Sequence, residues 1–315
     1  MKISVIVTSF NQKHYLVQAI ESVINQTFKP FEIIVADNHS VDGSVDLIQA
    51  YVDRFPGRIV GLFREERVAL PKNKNEALEM VRGDLVTILD GDDRFLPRKL
   101  ELEMETYQNH PEARIVHSNF FFIDESGRRT GTWLAENQTP PTRDVFREAF
   151  AGSDIYRNEL VATECFEEVG VFDEELQIYE DWDMQIRLTK RFMTAYCPHP
   201  LVEYRLHSQG ISRSAGSLHL MLMKKVHAKN AHLLHDLNQD DRVFVEKELS
   251  KIFAATAQRA AWEAMDGQDR RLAFGYLREA LQYNPRALNP ALLARAALPT
   301  RAYMALRRVY HSGAR

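Results

Sequence analysis

Apolar and polar positions alternate in blocks from the first residues onward. Ile3 to Val7 forms a short apolar-rich run, which reads as a buried strand. Leu16, Ala19, Ile20, Val23 and Ile24 then fall at i, i+3, i+4, i+7 and i+8, the stripe of a helix packed on a core. A second strand, Glu32 to Ala36, ends on Asp37, and the polar run from Asn38 to Gly43 is turn chemistry. Val45, Ile48 and Val52 begin another helical stripe. Arg58 to Phe63 reads as a third strand, followed by a polar helix around Lys72 to Met80. Leu85 to Leu89 is a fourth strand, and it stops at Asp90-Gly91-Asp92-Asp93.

Strand and helix in alternation predict an α/β fold with a mostly parallel sheet covered by helices. Ligands of such sheets gather outside the carboxyl ends of the strands, so Asp37 and Asp90 should line one crevice. A helix from Pro97 and a strand over Arg114 to Ser118 extend the pattern, and helical signals resume at Val145 to Ala151 and after Glu180. From Gly216 the pattern is almost purely helical. This predicts a domain over residues 1–213 and a helical extension over 214–315, with no convincing internal repeat.

With 45% hydrophobic residues among 315, a sizeable core can be buried. The net charge of −4 argues against a nucleic-acid partner. Two cysteines, Cys165 and Cys197, are too few for a disulfide framework, and the first apolar run is too short for a signal-peptide core. These point to a cytoplasmic protein. The stretch from Arg286 to Arg315 holds six arginines and no acidic residue. It reads as a packed helical extension or a homo-oligomer contact, or as a peripheral contact of Arg295, Arg301, Arg307 and Arg308 with the inner face of a membrane.

The sharpest local signal is the acidic cluster at Asp90, Asp92 and Asp93. Carboxylates so close repel one another unless a cation intervenes, and oxygen ligands suit Mg²⁺ or Mn²⁺. A solvated turn is the competing reading. Glu180-Asp181 opens a probable helix, either as an acidic first turn or as a general base. Arg205, His207 and Ser212 cluster in a polar stretch, which fits phosphate oxygens and a metal. The Gly-x-Gly-x-x-Gly fingerprint, the Gly-Lys-Ser/Thr loop, zinc-like Cys/His spacing and the Gly-x-Ser-x-Gly elbow are all missing.

Taken in order, Ser4 to Asn11, Ser22 to Thr27, Glu32 to Asp37, Leu89 to Asp93, Val169 to Glu174, Glu180 to Asp183 and Tyr204 to Ser212 resemble the family-2 glycosyltransferases. The resemblance covers about residues 2–213. It implies the GT-A fold, a Rossmann-like α/β architecture, and an inverting transfer from a nucleotide-sugar, UDP being the commonest carrier, to a carbohydrate or lipid-linked acceptor. It implies further that Thr8 and Phe10 lie against the nucleotide and that Asp37 reads its base. Asp90 and Asp92 would be the ends of the Asp-x-Asp motif, Asp92 and His207 would hold the metal, and Asp181 would be the catalytic base.

The chain departs from the family pattern in places. Phe10 lacks the usual tyrosine hydroxyl, Asn38 stands where a second aspartate is usual, and Pro71-Lys72-Asn73 replaces Ala-Arg-Asn, leaving Lys72 to supply the positive charge. The Gln-x-x-Arg-Trp motif of processive synthases is absent. A sugar-1-phosphate nucleotidyltransferase, a glycoside hydrolase with paired carboxylates and a sugar-nucleotide-binding module without catalysis are the alternatives. Trp133, Phe146 and Tyr156 are candidates for stacking on a sugar, or for the core.

Overall fold

The computed structural model describes residues 1–135, 140, 142, 144–152, 158–208, 210, 216–285, 292 and 296. The chain divides into two compact units, residues 1–149 with 154–210, and residues 150–153 with 211–315. The sequence places its boundary at 213; the structure divides the chain at 210 and assigns residues 150–153 to the second unit.

In the first unit the alternation expected from the sequence is realised as β1 (Ile3–Ser9), α1 (Lys13–Ile24), β2 (Glu32–Asp37), α2 (Ser44–Arg54), β3 (Ile59–Phe63), α3 (Leu70–Glu79) and β4 (Leu85–Asp90). Every residue of β1 and β2 is buried, which is why those strands read as runs rather than alternations. The chain continues through β5 (Arg94–Phe95), α4 (Lys99–Asn109), β6 (Ala113–Ile123), β7 (Arg129–Thr132), α5 (Phe146–Phe150), β8 (Leu160–Ala162), α6 (Cys165–Val169), α7 (Glu180–Arg191) and β9 (Met193–Arg205).

One sheet collects all nine strands in the order β3-β2-β1-β4-β8-β6-β9-β5, with β7 on β6. The half containing β3, β2, β1 and β4 is parallel throughout. Beyond it the sheet is mixed, because β8 runs antiparallel to both β4 and β6 while β6 and β9 are parallel. The main core packs α1, α2 and α4 against this sheet through residues such as Leu16, Ile20, Ile48, Leu100 and Met104. Trp133 stacks on Phe120 with ring centroids 5.4 Å apart, and Phe146 is 3% exposed, so both serve the core. Tyr156 lies outside the described residues.

Register brings the chemistry to one level. Across the parallel strands Thr8 stands beside Asp90, and Ser9 beside Asp37. Gly91 follows at once, and a side chain there would strike the Thr8 carbonyl oxygen, so the turn after β4 needs a residue without Cβ.

The second unit is helical. It contains α8 (Gly216–Asn230), a 3₁₀ turn (Ala231–Asp236), α9 (Gln239–Asp266) and α10 (Arg270–Tyr283). Small residues such as Ala261, Ala264 and Ala273 let the long helix and its successor approach closely, with Leu277 filling the seam. Asn238 and Asp269 cap α9 and α10, accepting from Asp241 N and Leu272 N at 2.9 Å. Arg295, Arg301, Arg307 and Arg308 lie outside the described residues. Among the described residues no helix is long and apolar enough to cross a membrane.

Candidate functional site

The carboxyl ends of β1, β2 and β4 carry the expected cluster. Thr8 Oγ1 donates to Asp90 Oδ1 at 3.0 Å, which fixes the first aspartate of the turn. Two residues on, Asp92 Oδ2 meets His207 Nε2 at 2.8 Å and accepts from Gln12 Nε2 at 3.2 Å. Burial, with the charge of Asp90 beside it, pushes the Asp92 carboxyl above the usual carboxylate range. His207 is 3% exposed and its ring lies 5.4 Å from that of Tyr15. The structure thus brings together Thr8, Asp90, Asp92 and His207.

Asp37 is fully buried and braces the turn after β2. Its oxygens accept from Ser9 Oγ, Ser40 N and Ser40 Oγ at 2.7–2.9 Å. A carboxylate offers about four acceptor sites, so roughly one is left. Phe10, at the end of β1, has the Arg67 guanidinium 4.1 Å from its ring centre.

Arg205 has a different place from the one expected. Its Nε donates to Asp92 O at 2.8 Å, Nη1 to Asp124 O and Glu125 O, and Nη2 to Gln18 Oε1. Its backbone N–H donates to Asp93 Oδ1 at 2.8 Å. The guanidinium lies over the Tyr15 ring and gives most of its N–H groups to protein acceptors, so it holds the turn of the acidic cluster. Ser212 lies outside the described residues.

Lys72, the expected positive charge, is exposed on α3. The lysine that faces the carboxylates is Lys74, 6% exposed, its Nζ 2.8 Å from Glu180 Oε1. Burial alone would depress its ammonium, but the charges of Glu180, Asp90 and Asp181 outweigh that and hold it above the usual lysine range. The sequence carried a signal for it. Leu70, Lys74, Ala77 and Leu78 fall at helical spacing, so the lysine sits on an apolar stripe.

Asp181 stands in the first turn of α7, after Tyr179 in the left-handed conformation at φ 69°. Trp182 anchors that turn, its indole donating to Ala149 O at 2.7 Å. Lys74, Asp90 and Asp181 share a cleft with Asn158, Glu159 and Gln185. The last three were not anticipated; Gln185 lies one helical turn from Asp181, while nothing in the segment before β8 marks Asn158 or Glu159.

Comparison with known proteins places the chain in a family. The family model for glycosyl transferase family 2 matches residues 4–160. The chain belongs to that family. An uncharacterised glycosyltransferase of Methanocaldococcus jannaschii is 29% identical over 189 residues, covering 59% of this chain and 63% of the relative, just under two thirds of the relative's own length. A putative teichuronic acid biosynthesis glycosyltransferase, TuaG of Bacillus subtilis, is 28% identical over 219 residues, covering 67% of this chain and 81% of the relative. Among solved structures, S. aureus TarS residues 1–349 in complex with UDP-GlcNAc superposes with a TM-score of 0.64 at 17% identity, covering 99% of this chain and 92% of that one. The family-2 chain thus has the GT-A fold that its sequence motifs imply.

Proposed function

We propose that this chain is an inverting glycosyltransferase that moves a monosaccharide from a nucleotide-sugar to a hydroxyl of a cell-surface polysaccharide or glycolipid precursor. The observation that carries the reading is the convergence of Lys74, Asp90 and Asp181 on one cleft, beside the Asp92–His207 pair. Membership of family 2 and the name of the Bacillus relative favour a polysaccharide acceptor, and the neighbour's UDP-GlcNAc complex favours a UDP-sugar donor.

In this reading the base stacks on Phe10 under Arg67 and hydrogen-bonds to the remaining acceptor site of Asp37. Thr8 and Asp90 lie along the ribose and diphosphate. Asp92 and His207 fit a divalent cation, Mn²⁺ or Mg²⁺. They present one carboxylate and one imidazole nitrogen side by side, and such ions complete their shells with phosphate and water. Among the described residues no third His, Cys, Asp or Glu joins them, so the set suits an ion that arrives with its substrate rather than a closed protein cage. Such an ion, when bound, supplies charge neutralisation to the diphosphate.

The chain's own residues do the rest. Asp181 accepts the proton of the acceptor hydroxyl while that oxygen bonds to the anomeric carbon and the bond to the diphosphate oxygen breaks. Asp181→Asn should therefore lower kcat by about 10²–10⁴-fold with nucleotide binding unchanged. Calorimetric titration of UDP, GDP, dTDP and CDP, with and without Mn²⁺, on wild type and Asp92→Ala tests the donor site. Metal-dependent binding of one nucleotide, lost in the variant, is the expected result, and binding that ignores both metal and variant would refute the assignment.

A further inference from the structure

The inner part of the cleft is built more elaborately than the proposed transfer requires. Asn158, in the left-handed conformation at φ 54°, lies two residues before β8, the strand that pairs with β4. Its Nδ2 donates to Ile88 O at 2.6 Å, which orients the side-chain amide, and its backbone carbonyl oxygen accepts from Thr87 Oγ1 at 2.9 Å. The Oδ1 atom is thereby turned the other way, buried and without a hydrogen-bond partner in the protein. Unpartnered buried acceptors cost roughly 1–3 kcal/mol, so this oxygen gains whenever a ligand donates to it.

A buried polar chain runs beneath. Lys99 and Glu103 are both fully buried, with Lys99 Nζ 2.5 Å from Glu103 Oε2 and 3.4 Å from Thr87 Oγ1. Ser118 Oγ donates to Glu103 Oε1 at 3.0 Å. Helix α4, β6 and β4 are thus tied to the residue that seats Asn158, and the network gives a single fixed position to the floor of the cleft.

Beside Asn158 stands Glu159, whose Oε1 accepts from Gln185 Nε2 at 3.1 Å. Burial pushes its carboxyl above the usual range, and the charge of Asp181 adds to this. A carboxyl in that state has poorly accommodated charge and favours hydrogen-bond donors over anions. The lining as a whole agrees. Among the described lining residues Asp90, Glu159 and Asp181 stand with one cation, Lys74, which already pairs with Glu180, while Lys99 acts on Glu159 from outside the lining.

We propose that Glu159 and Asn158 Oδ1 form the specificity-determining pair of the donor's sugar subsite, selecting a neutral hexose or N-acylated amino sugar and rejecting a uronic acid. The proposal rests on the nucleotide-sugar reading above. Hydroxyl and amide N–H groups supply donors to the acceptors that line the floor, whereas a sugar carboxylate would add a fourth negative charge and offer no donor there.

The test is competitive binding of matched donors: UDP-glucose, UDP-N-acetylglucosamine and UDP-glucuronate, with GDP-mannose and GDP-mannuronate alongside, each against its free nucleoside diphosphate. For whichever nucleotide binds, the neutral sugar should bind at least about tenfold tighter than the uronate. Glu159→Gln should shrink that gap several-fold while free UDP or GDP binds as before, a control that also reports an intact fold. A uronate that binds as tightly as its neutral partner, or a gap that Glu159→Gln leaves untouched, would overturn the proposal while the donor reading stands. Failure of every nucleoside diphosphate to bind would overturn both.

Discussion

Lys74 shows how a single side chain sets the electrostatics of this site. Removing it leaves Glu180 buried and unpaired beside Asp90 and Asp181. Lys74→Met should therefore cost about 3–5 kcal/mol of stability. Adding Glu180→Gln to the same chain should restore most of it, and urea unfolding of the two variants would show whether the coupling exists. His117 acts through the opposite physics. It is fully buried near Tyr196, and burial pushes its pKa down to about 3 from 6.5. Between those values the unfolded chain binds a proton that the folded chain refuses, so folding stability falls as pH drops through this window. Wild type should lose about 2 kcal/mol more than His117→Phe between about pH 7 and about pH 5 from this group alone. Equal slopes for the two proteins in that range would contradict this. The sequence pointed to Asp90, Asp92, Asp181 and His207 because each lies at the end of a recognisable element or motif. For Arg205 and Lys72 the motif gives a charged residue, but only packing says which way its side chain turns.

At the scale of elements, the parallel half of the sheet was legible because its strands are apolar on both faces and its helices keep a clean period. Of the mixed half only β6 was, through the strand pattern over Arg114 to Ser118. Strands β5 and β8 are two and three residues long, shorter than any period can announce. Strand β9 contains Pro198 and Pro200, which break the pattern of a central strand, and the structure accommodates them by register shifts against β6 at Ser118 and Asn119. The turn after β4 offers a sharper test of how elements position chemistry. Gly91→Ala should push the turn off the Thr8 carbonyl, displacing Asp90 and Asp92 together. We expect nucleotide affinity to fall by about tenfold or more while circular dichroism stays native, since an error of about 1 Å at a site can cost 10²-fold. Unchanged affinity would mean that the turn yields without moving its carboxylates.

For the molecule as a whole, the sequence changes to purely helical patterning at Gly216, and nothing in it marks residues 150–153 as belonging with the second unit. A four-residue excursion leaves no mark on composition or period. Each unit carries its own buried cluster, so calorimetric unfolding should respond to a ligand through the unit that binds it. Nucleotide with Mn²⁺, at about a hundred times its dissociation constant, should stabilise the unit of residues 1–149 and 154–210 by about 2.7 kcal/mol. Chelating the metal should remove that shift, and a shift that survives chelation would speak against Asp92 and His207 as the ion's holders.

The irregular pairing of β9 has a consequence of its own. From Cys197 to Val202 it takes more residues than β6 uses from Ser118 to Phe120, so part of its length is slack held off the ladder. His207 hangs from the far end of that strand, two residues past Arg205. The slack is thus a spacer that sets the reach of the histidine. A residue removed from it either uses up the slack or shifts the register that follows by about 3.3 Å, past the span of a hydrogen bond from His207 to Asp92. The two prolines that hid the strand from view are also what keep that spacer from zipping into the sheet.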